Sequence, residues 1–474
     1  MNEILLLSGA ILVICVLSSK LLYKFGIPTL IIFLCLGMLL GSDGPGGIYF
    51  YDYTMAQHVC SLGLAFIMFY GGFGFNWKTA KPVVLQSVFL STVGVVITAF
   101  LVGIFSWWLL KISLLEGMLL GAIVSSTDAA SVFSILRSKK LNLKGGMASM
   151  LEMESGSNDP ISYMLTIVIL SLISNNGQQS IIQLLTNQIL FGFLIGFSLA
   201  LLAVLVMRHI RLEIDGLYPI FVTGIILLGY SLNEWLGGNG FLAVYIIGIV
   251  MGNSKILHKK SLVHFFDGMS WLMQIILFFT LGLLVFPSQL PAVSLSAIII
   301  ALFLIFVARP VAIFSILSWF KTPLKQQLLV SWVGLRGAAS IVFATYALTN
   351  QISVANQIFN TVFFIALLSV LVQGTMLPKV AKLLDVVEKE ETVYKTFSDY
   401  QDETHTKLIE CPIRKSNPWA GKSIMEANIP EEILVVMIKR KGEVITPKGS
   451  TVINAGDTLV LIGNKFDGIR SGKE

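Results

Sequence analysis

Six charged residues lie inside stretches that are otherwise apolar: Asp128, Glu152, Glu154, Asp159, Arg309 and Arg336. A carboxylate surrounded by hydrocarbon has few uses. It can pair with a guanidinium, bind a cation, or take up a proton, because desolvation favours the neutral form of a carboxyl group. LEMESGSNDPISYML (151–165) concentrates three of the acids. At about 100° per residue, Glu152, Ser155 and Asp159 share one helical stripe, and Glu154 and Asn158 share another. Ser155 and Asp159 therefore point into one site. Glu154 points elsewhere and needs a cation, for which Arg336 is the candidate; loss of either partner would strand a buried charge. Glu152 and Arg309 are left for pairing or for access to the site. Asp128 lies in LLGAIVSSTDAASVFSIL (119–136), directly after Ser125, Ser126 and Thr127.

The elements that must position these residues are membrane spans. The chain has 474 residues, of which 55% are hydrophobic and 13% charged, against roughly 25% charged in a soluble domain. Its mean hydropathy is +0.81. Apolar runs close to the ~20 residues of a bilayer-crossing helix recur along most of the chain. Bundled helices are the architecture that satisfies every backbone group in lipid. Thirteen spans are predicted: 4–22, 29–41, 58–75, 84–109, 114–136, 147–173, 181–207, 218–235, 241–252, 269–286, 293–318, 328–349 and 356–378. The second and ninth are short, as in re-entrant or broken helices. Seventeen Lys and Arg, from Lys20 and Lys24 through Arg137, Lys140 and Arg211 to Lys382, fall in one set of loops and adjoining span ends; Lys111 is alone in the other. This asymmetry predicts an outside N-terminus and a cytoplasmic C-terminus. It also absorbs the net charge of +6, so no nucleic-acid partner is expected. Cys15, Cys35, Cys60 and Cys411 form no C-x-x-C, which excludes a disulfide framework or a cysteine metal site. Met1–Glu3 carries no basic segment, so the first span is expected to be retained and not cleaved as a signal.

Asp159 lies twelve residues beyond Met147, about 18 Å into its span. Asp128 lies fourteen residues into the preceding span, at a similar depth, so the two acids can share a site. DAASVF (128–133) and GAASIVF (337–343) resemble each other on spans that cross in opposite directions. Inverted repeats with paired, partly unwound helices produce this pattern. From about Asp385 the texture changes. Residues 385–404 read as a linker, and 405–474 as a small soluble α+β domain. KLIECPI, ILVVMIKR, EVITP, STVI and DTLVLIG read as strands and GKSIMEANIP as a short helix. The expected fold is thus an all-α polytopic membrane protein of about 13 transmembrane helices, with inverted repeats and broken crossing helices. It is followed by a small cytoplasmic α+β domain.

The thirteen spans, STD at 126–128, ESGSNDP at 154–160, ARP at 308–310 and GLRGAAS at 334–340 resemble the NhaP-type antiporters of the cation:proton antiporter superfamily. The resemblance implies a core domain and a dimerising domain, hence a homodimer. It implies that Asp159 binds cation or proton, and that Thr127, Asp128 and Ser155 help to coordinate the ion. Asn158 stands where electrogenic relatives carry a second acid, which implies electroneutral exchange; Glu154 and Arg336 would form a structural pair. Ala129 departs from the proline that much of the family has after the span-five aspartate, and GGFGFNWK (71–78) lacks an acid that many members carry. The tail resembles a TrkA-C (RCK-C) domain in GKSI, VVMIKRKGEVITPKG and AGDTLVLIG. With no G-x-G-x-x-G in the tail, the nucleotide-binding RCK-N lobe is missing. Such tails imply regulation of potassium transport and a small-nucleotide effector such as cyclic di-AMP.

The expected activity is exchange of K+, with Na+ as the alternative, for H+ across a bacterial cell membrane, serving cation and pH homeostasis. No cofactor is expected beyond the transported ions. A TrkA-C-regulated cation channel is the rival from another class, but no T-V-G-Y-G filter is present. Enzymatic chemistry is not expected: no H-E-x-x-H occurs and the five histidines lie outside span interiors.

Overall fold

The computed structural model describes residues 2–23, 29–139, 141–174, 180–210, 214–256, 258–388, 407–414, 417–430, 433–440 and 443–463. Lys24, Lys140, Arg211 and 389–404 of the expected linker lie outside the described residues. The chain forms two compact units, Met1–Ser398 and Asp399–Glu474.

The first unit is helical. It opens with α1 (Asn2–Tyr23), α2 (Thr29–Leu40) and α3 (Tyr53–Gly74). Span four runs through α4 (Trp77–Ala80), α5 (Val84–Phe89), a π segment at Leu90–Gly94 and α6 (Val95–Leu110). Span five is split into α7 (Leu114–Val124) and α8 (Ala129–Ser138). Then come α9 (Met147–Ile173), α10 (Ile181–His209), α11 (Leu217–Leu236), α12 (Gly240–Gly252) and α13 (Lys259–Leu283). Span eleven is α14 (Leu290–Phe303), a π segment at Leu304–Ala308 and α15 (Arg309–Leu317). Span twelve is split into α16 (Leu324–Trp332) and α17 (Ala338–Thr349). Span thirteen is α18 (Ala355–Leu368), a π segment and α19 (Thr375–Leu383). Among the described residues nine helices are long and apolar enough to cross a membrane, and four shorter apolar helices accompany them. Together they match the thirteen expected spans. Some begin earlier than expected. Asp52 caps α3 by accepting Met55 N at 2.8 Å, and α13 starts at Lys259, ten residues before the predicted 269, which brings Asp267 into a helix.

Irregularities recur seven spans apart. Spans two and nine are short, spans four and eleven carry π segments, and spans five and twelve are broken. An odd offset makes each pair cross in opposite directions, which is the inverted repeat. Two helix pairs touch at backbone distance. A Cβ on Gly252 of α12 would lie 2.2 Å from Phe73 O of α3, and one on Gly121 of α7 would lie 2.1 Å from Ala99 O of α6. These contacts leave no room for a larger residue at either glycine.

The second unit is a four-stranded antiparallel sheet of β1 (Lys407–Pro412), β2 (Ile433–Arg440), β3 (Glu443–Ile445) and β4 (Thr458–Gly463), in the order β1-β4-β2-β3. Cys411, Ile433, Val435, Ile438, Leu459 and Leu461 form its core. GKSIMEANIP (421–430), expected as a helix, forms turns. Its donors are used elsewhere: Ile424 N reaches Thr451 O at 3.0 Å and Met425 N reaches Gly449 O at 3.0 Å. Left-handed backbone at Gly421 (φ 81°) and Asn428 (φ 45°) bounds it. STVI supplies that partner segment and makes only an isolated bridge, Val452 to Ser423.

Arg440 clamps Asp457 with Nε and Nη2 at 2.8 and 2.7 Å, and Asn454 N adds a third donor at 2.7 Å. The guanidinium holds the Asp457 carboxyl below the usual carboxylate range. Its stabilisation is therefore present above the unfolded carboxyl pKa and is lost as pH falls through the lower folded value. Asp457→Asn is expected to cost the sheet about 1–2 kcal/mol at neutral pH, allowing for the part-exposed guanidinium. Hydrogen exchange of the β4 amides in the full-length protein checks this.

Candidate functional site

Two unwound segments meet in the middle of the first unit: Ser125–Asp128 between α7 and α8, and Val333–Gly337 between α16 and α17. Ser, Thr and Asp side chains compete with the backbone for hydrogen bonds, and SSTD ends one helix and begins the next for that reason. Asp128 caps α8: its carboxylate accepts Ser131 N at 3.2 Å and Ser131 Oγ at 2.6 Å. It also lies against Gly337, where an added Cβ would stand 2.3 Å from Oδ2. The negative group thus faces the N-termini of α8 and α17, where helix dipoles favour it. Arg336 does the converse. Its Nη1 donates to Ser125 O at 2.8 Å and Ser126 O at 2.7 Å, the carbonyls just beyond the C-terminus of α7. Asp128 N donates to Leu335 O at 2.8 Å, tying the two breaks together.

α9 runs unbroken past this crossing, through Pro160. Ser155 Oγ donates to Thr127 O at 2.7 Å and accepts Ala129 N at 2.8 Å. Asn158 is fully buried; its amide donates to Thr127 Oγ1 and, at 3.5 Å, to Glu154 Oε1. Ser126 Oγ donates to Asp159 Oδ1. Thr127, Asp128, Ser155, Asn158 and Asp159 thus come together at one crossing. Ser126, which the sequence reading passed over as a ligand, is the hydroxyl on Asp159; its place beside Thr127 in the break was the available signal. Asp159 and Asp128 are partly accessible, whereas Ser155 and Asn158 are buried. Hard oxygens around a carboxylate of limited access suit a monovalent cation or a proton.

The expected pair of Glu154 with Arg336 is corrected. Glu154 is forked by Arg309, with Nη1 to Oε1 at 2.8 Å and Nη2 to Oε2 at 2.9 Å, and both side chains are nearly completely buried. Arg309 opens α15 directly after a π segment and faces α9 there. Arg336 stands in unwound chain, where the bare carbonyls of Ser125 and Ser126 claim it. Glu152 is half-buried on α9, about two turns before Asp159. Sequence reasoning also passed over Glu234 as a span end; its carboxylate accepts Tyr163 OH at 3.1 Å.

Glu154→Gln and Arg309→Gln should each destabilise the protein by about 3–5 kcal/mol by stranding a buried charge. The double variant Glu154→Gln/Arg309→Gln should recover part of that loss and Glu154→Gln/Arg336→Gln none, as read by thermal unfolding in detergent.

Residues 9–383 match the family described as "Sodium/hydrogen exchanger, transmembrane", and 408–467 match the TrkA-C domain. The K(+)/H(+) antiporter NhaP2 of Shewanella sp. (strain ANA-3) is 33% identical over 98% of this chain and 82% of its own length. The K(+)/H(+) antiporter NhaP of Alkalimonas amylolytica is 33% identical over the same shares. The structure of the sodium proton antiporter MjNhaP1 from Methanocaldococcus jannaschii superposes with a TM-score of 0.73 at 26% identity, covering 81% of this chain and 99% of that one. With crossed helix breaks, an accessible mid-span carboxylate and these matches, the chain belongs to the transmembrane sodium/hydrogen exchanger family, the cation:proton antiporters.

Proposed function

We propose that this cation:proton antiporter exchanges K+ for H+, electroneutrally, by alternating access at the Asp159 carboxylate. The carrying observation is the Ser126–Asp159 contact at the crossing of two helix breaks. One carboxylate holds either a proton or a dehydrated cation, so competition couples the two fluxes. Ser126 turns its hydroxyl oxygen to the cation when Asp159 is charged, and Thr127, Asp128 and Ser155 keep the break open around it. Asn158 adds no charge, which supports electroneutrality. Burial of its amide against Thr127 and Glu154 gives it a holding role.

K+ is favoured over Na+ by the relatives that match along nearly the whole chain, tail included, which are named K(+)/H(+) antiporters. The Na(+)/H(+) antiporter 1 of Methanocaldococcus jannaschii matches 73% of the chain. In our reading the N-terminus is outside and the tail cytoplasmic, so α9 enters at Met147 from the cytoplasm. The transporter works as a homodimer in the bacterial inner membrane. Its TrkA-C tail takes a small nucleotide, with cyclic di-AMP the first candidate. Glu152, about two turns inward of Asp159, draws cations towards the site.

Asp159→Asn should abolish exchange in proteoliposomes while leaving the unfolding temperature within a few degrees of wild type. Dequenching of a trapped pH dye, titrated separately with K+ and Na+, reads both loss and selectivity. Robust exchange by the variant would reject Asp159 as the shared site.

A further inference from the structure

Accessibility changes along the stripe of α9 that carries Asp159. Glu152, Gly156 and Asp159 are partly exposed, whereas Tyr163 and Thr166, the next residues on that stripe, are buried. Access to Asp159 therefore comes from the Met147 side and stops one turn further on. The stop is aromatic. Tyr163 packs edge-on to Phe241 of α12 and Tyr346 of α17, with centroids 4.9 and 5.4 Å away, and stands 5.7 Å from Phe343. Phe241 and Phe343 are completely buried. Tyr346 OH lies 3.1 Å from Ser61 Oγ of α3.

This plug joins two groups of helices. α9 and α17 carry the crossing and its acids. α3 and α12 are locked together at backbone distance, and α12 follows α11 across the short turn at 237–239. Three polar contacts cross the junction near the plug: Tyr346 OH to Ser61 Oγ, Asn239 Nδ2 donating to Pro160 O at 2.8 Å, and Tyr163 OH donating to both oxygens of Glu234, at 3.2 and 3.1 Å; only the last involves a carboxylate. Glu234 is exposed as a residue at the end of α11, yet its carboxylate turns inward, where Gly240 N also reaches it at 3.3 Å. A tyrosine hydroxyl and a carboxylate make a charge-assisted bond. Any rocking of α9 away from α11 and α12 breaks it and parts the aromatic rings.

We propose that the Tyr163–Glu234 contact is the latch of the outer gate, and that it holds the transporter in its inward-facing state. The inference rests on alternating access at Asp159 and adds the pair of positioning residues that set its balance. A latch made only in the inward-facing state lowers the outward-facing fraction. It therefore raises the apparent constant for cations arriving from outside, which equals the intrinsic constant divided by that fraction. Removing the latch moves the two faces in opposite directions.

The test uses full-length protein in vesicles of a single orientation, with K+ titrated on one face at a time. Tyr163→Phe keeps the ring and its contacts and removes only the hydroxyl; Glu234→Ala removes the acceptor from an exposed position. Each is expected to lower the outer half-saturating K+ concentration about three- to tenfold and to raise the inner one. The double variant should go no further than the stronger single variant. Exchange that persists with both constants unchanged, or with both shifted in the same direction, overturns the latch while leaving Asp159 as the site. Should Glu234→Ala fail to fold, Tyr163→Phe alone decides by the same two constants.

Discussion

A helix that breaks in mid-membrane bares backbone groups that lipid cannot satisfy, and everything at the centre of this protein follows from answering them. The answers are specific. The carbonyls of Ser125 and Ser126 take Arg336, the Thr127 carbonyl takes the Ser155 hydroxyl, and the amides of Asp128 and Ala129 take Leu335 O and Ser155 Oγ. The two charges of the crossing are opposite and face opposite helix ends: Arg336 past the C-terminus of α7, Asp128 at the N-termini of α8 and α17. The two breaks thus supply partners to each other, and α9 supplies the rest through Ser155.

With those groups satisfied, Asp159 is the carboxylate of the crossing that neither pairs with a guanidinium nor caps a helix. Glu154 is neutralised by Arg309, Asp128 is committed to its helix caps, and Asp159 accepts from Ser126. Asp159 sits on α9, which does not break and which also holds the unwound chain beside it through Ser155 and Asn158.

Much of this was legible from periodicity and charge. Thirteen apolar runs, the one-sided lysines and arginines, and the small-residue echo of DAASVF in GAASIVF led to the spans and the crossed breaks. The helical stripes of span six correctly separated Glu154 from Asp159. They could not choose Arg309 over Arg336, because a stripe fixes the face a side chain occupies and not which helix packs there. The π segment before Arg309 leaves no trace in apolar periodicity. Glu234 was hidden for a related reason: at the end of its span it reads as a solvated residue, and only the inward turn of its carboxylate onto Tyr163 shows otherwise. In the tail, alternation located β2 and β4, whereas GKSIMEANIP has helical composition but spends its donors on residues 449–453.

The central claim is that proton and cation compete for one carboxylate. Initial exchange rates measured against K+ concentration on one face, over a series of pH values on that face with the other held constant, test it most directly. Competition predicts a half-saturating K+ concentration that rises by up to about tenfold per unit of acidification, with an unchanged maximal rate. A half-saturating concentration that stays fixed while the maximal rate falls would contradict it, and would mean that proton and cation occupy separate sites.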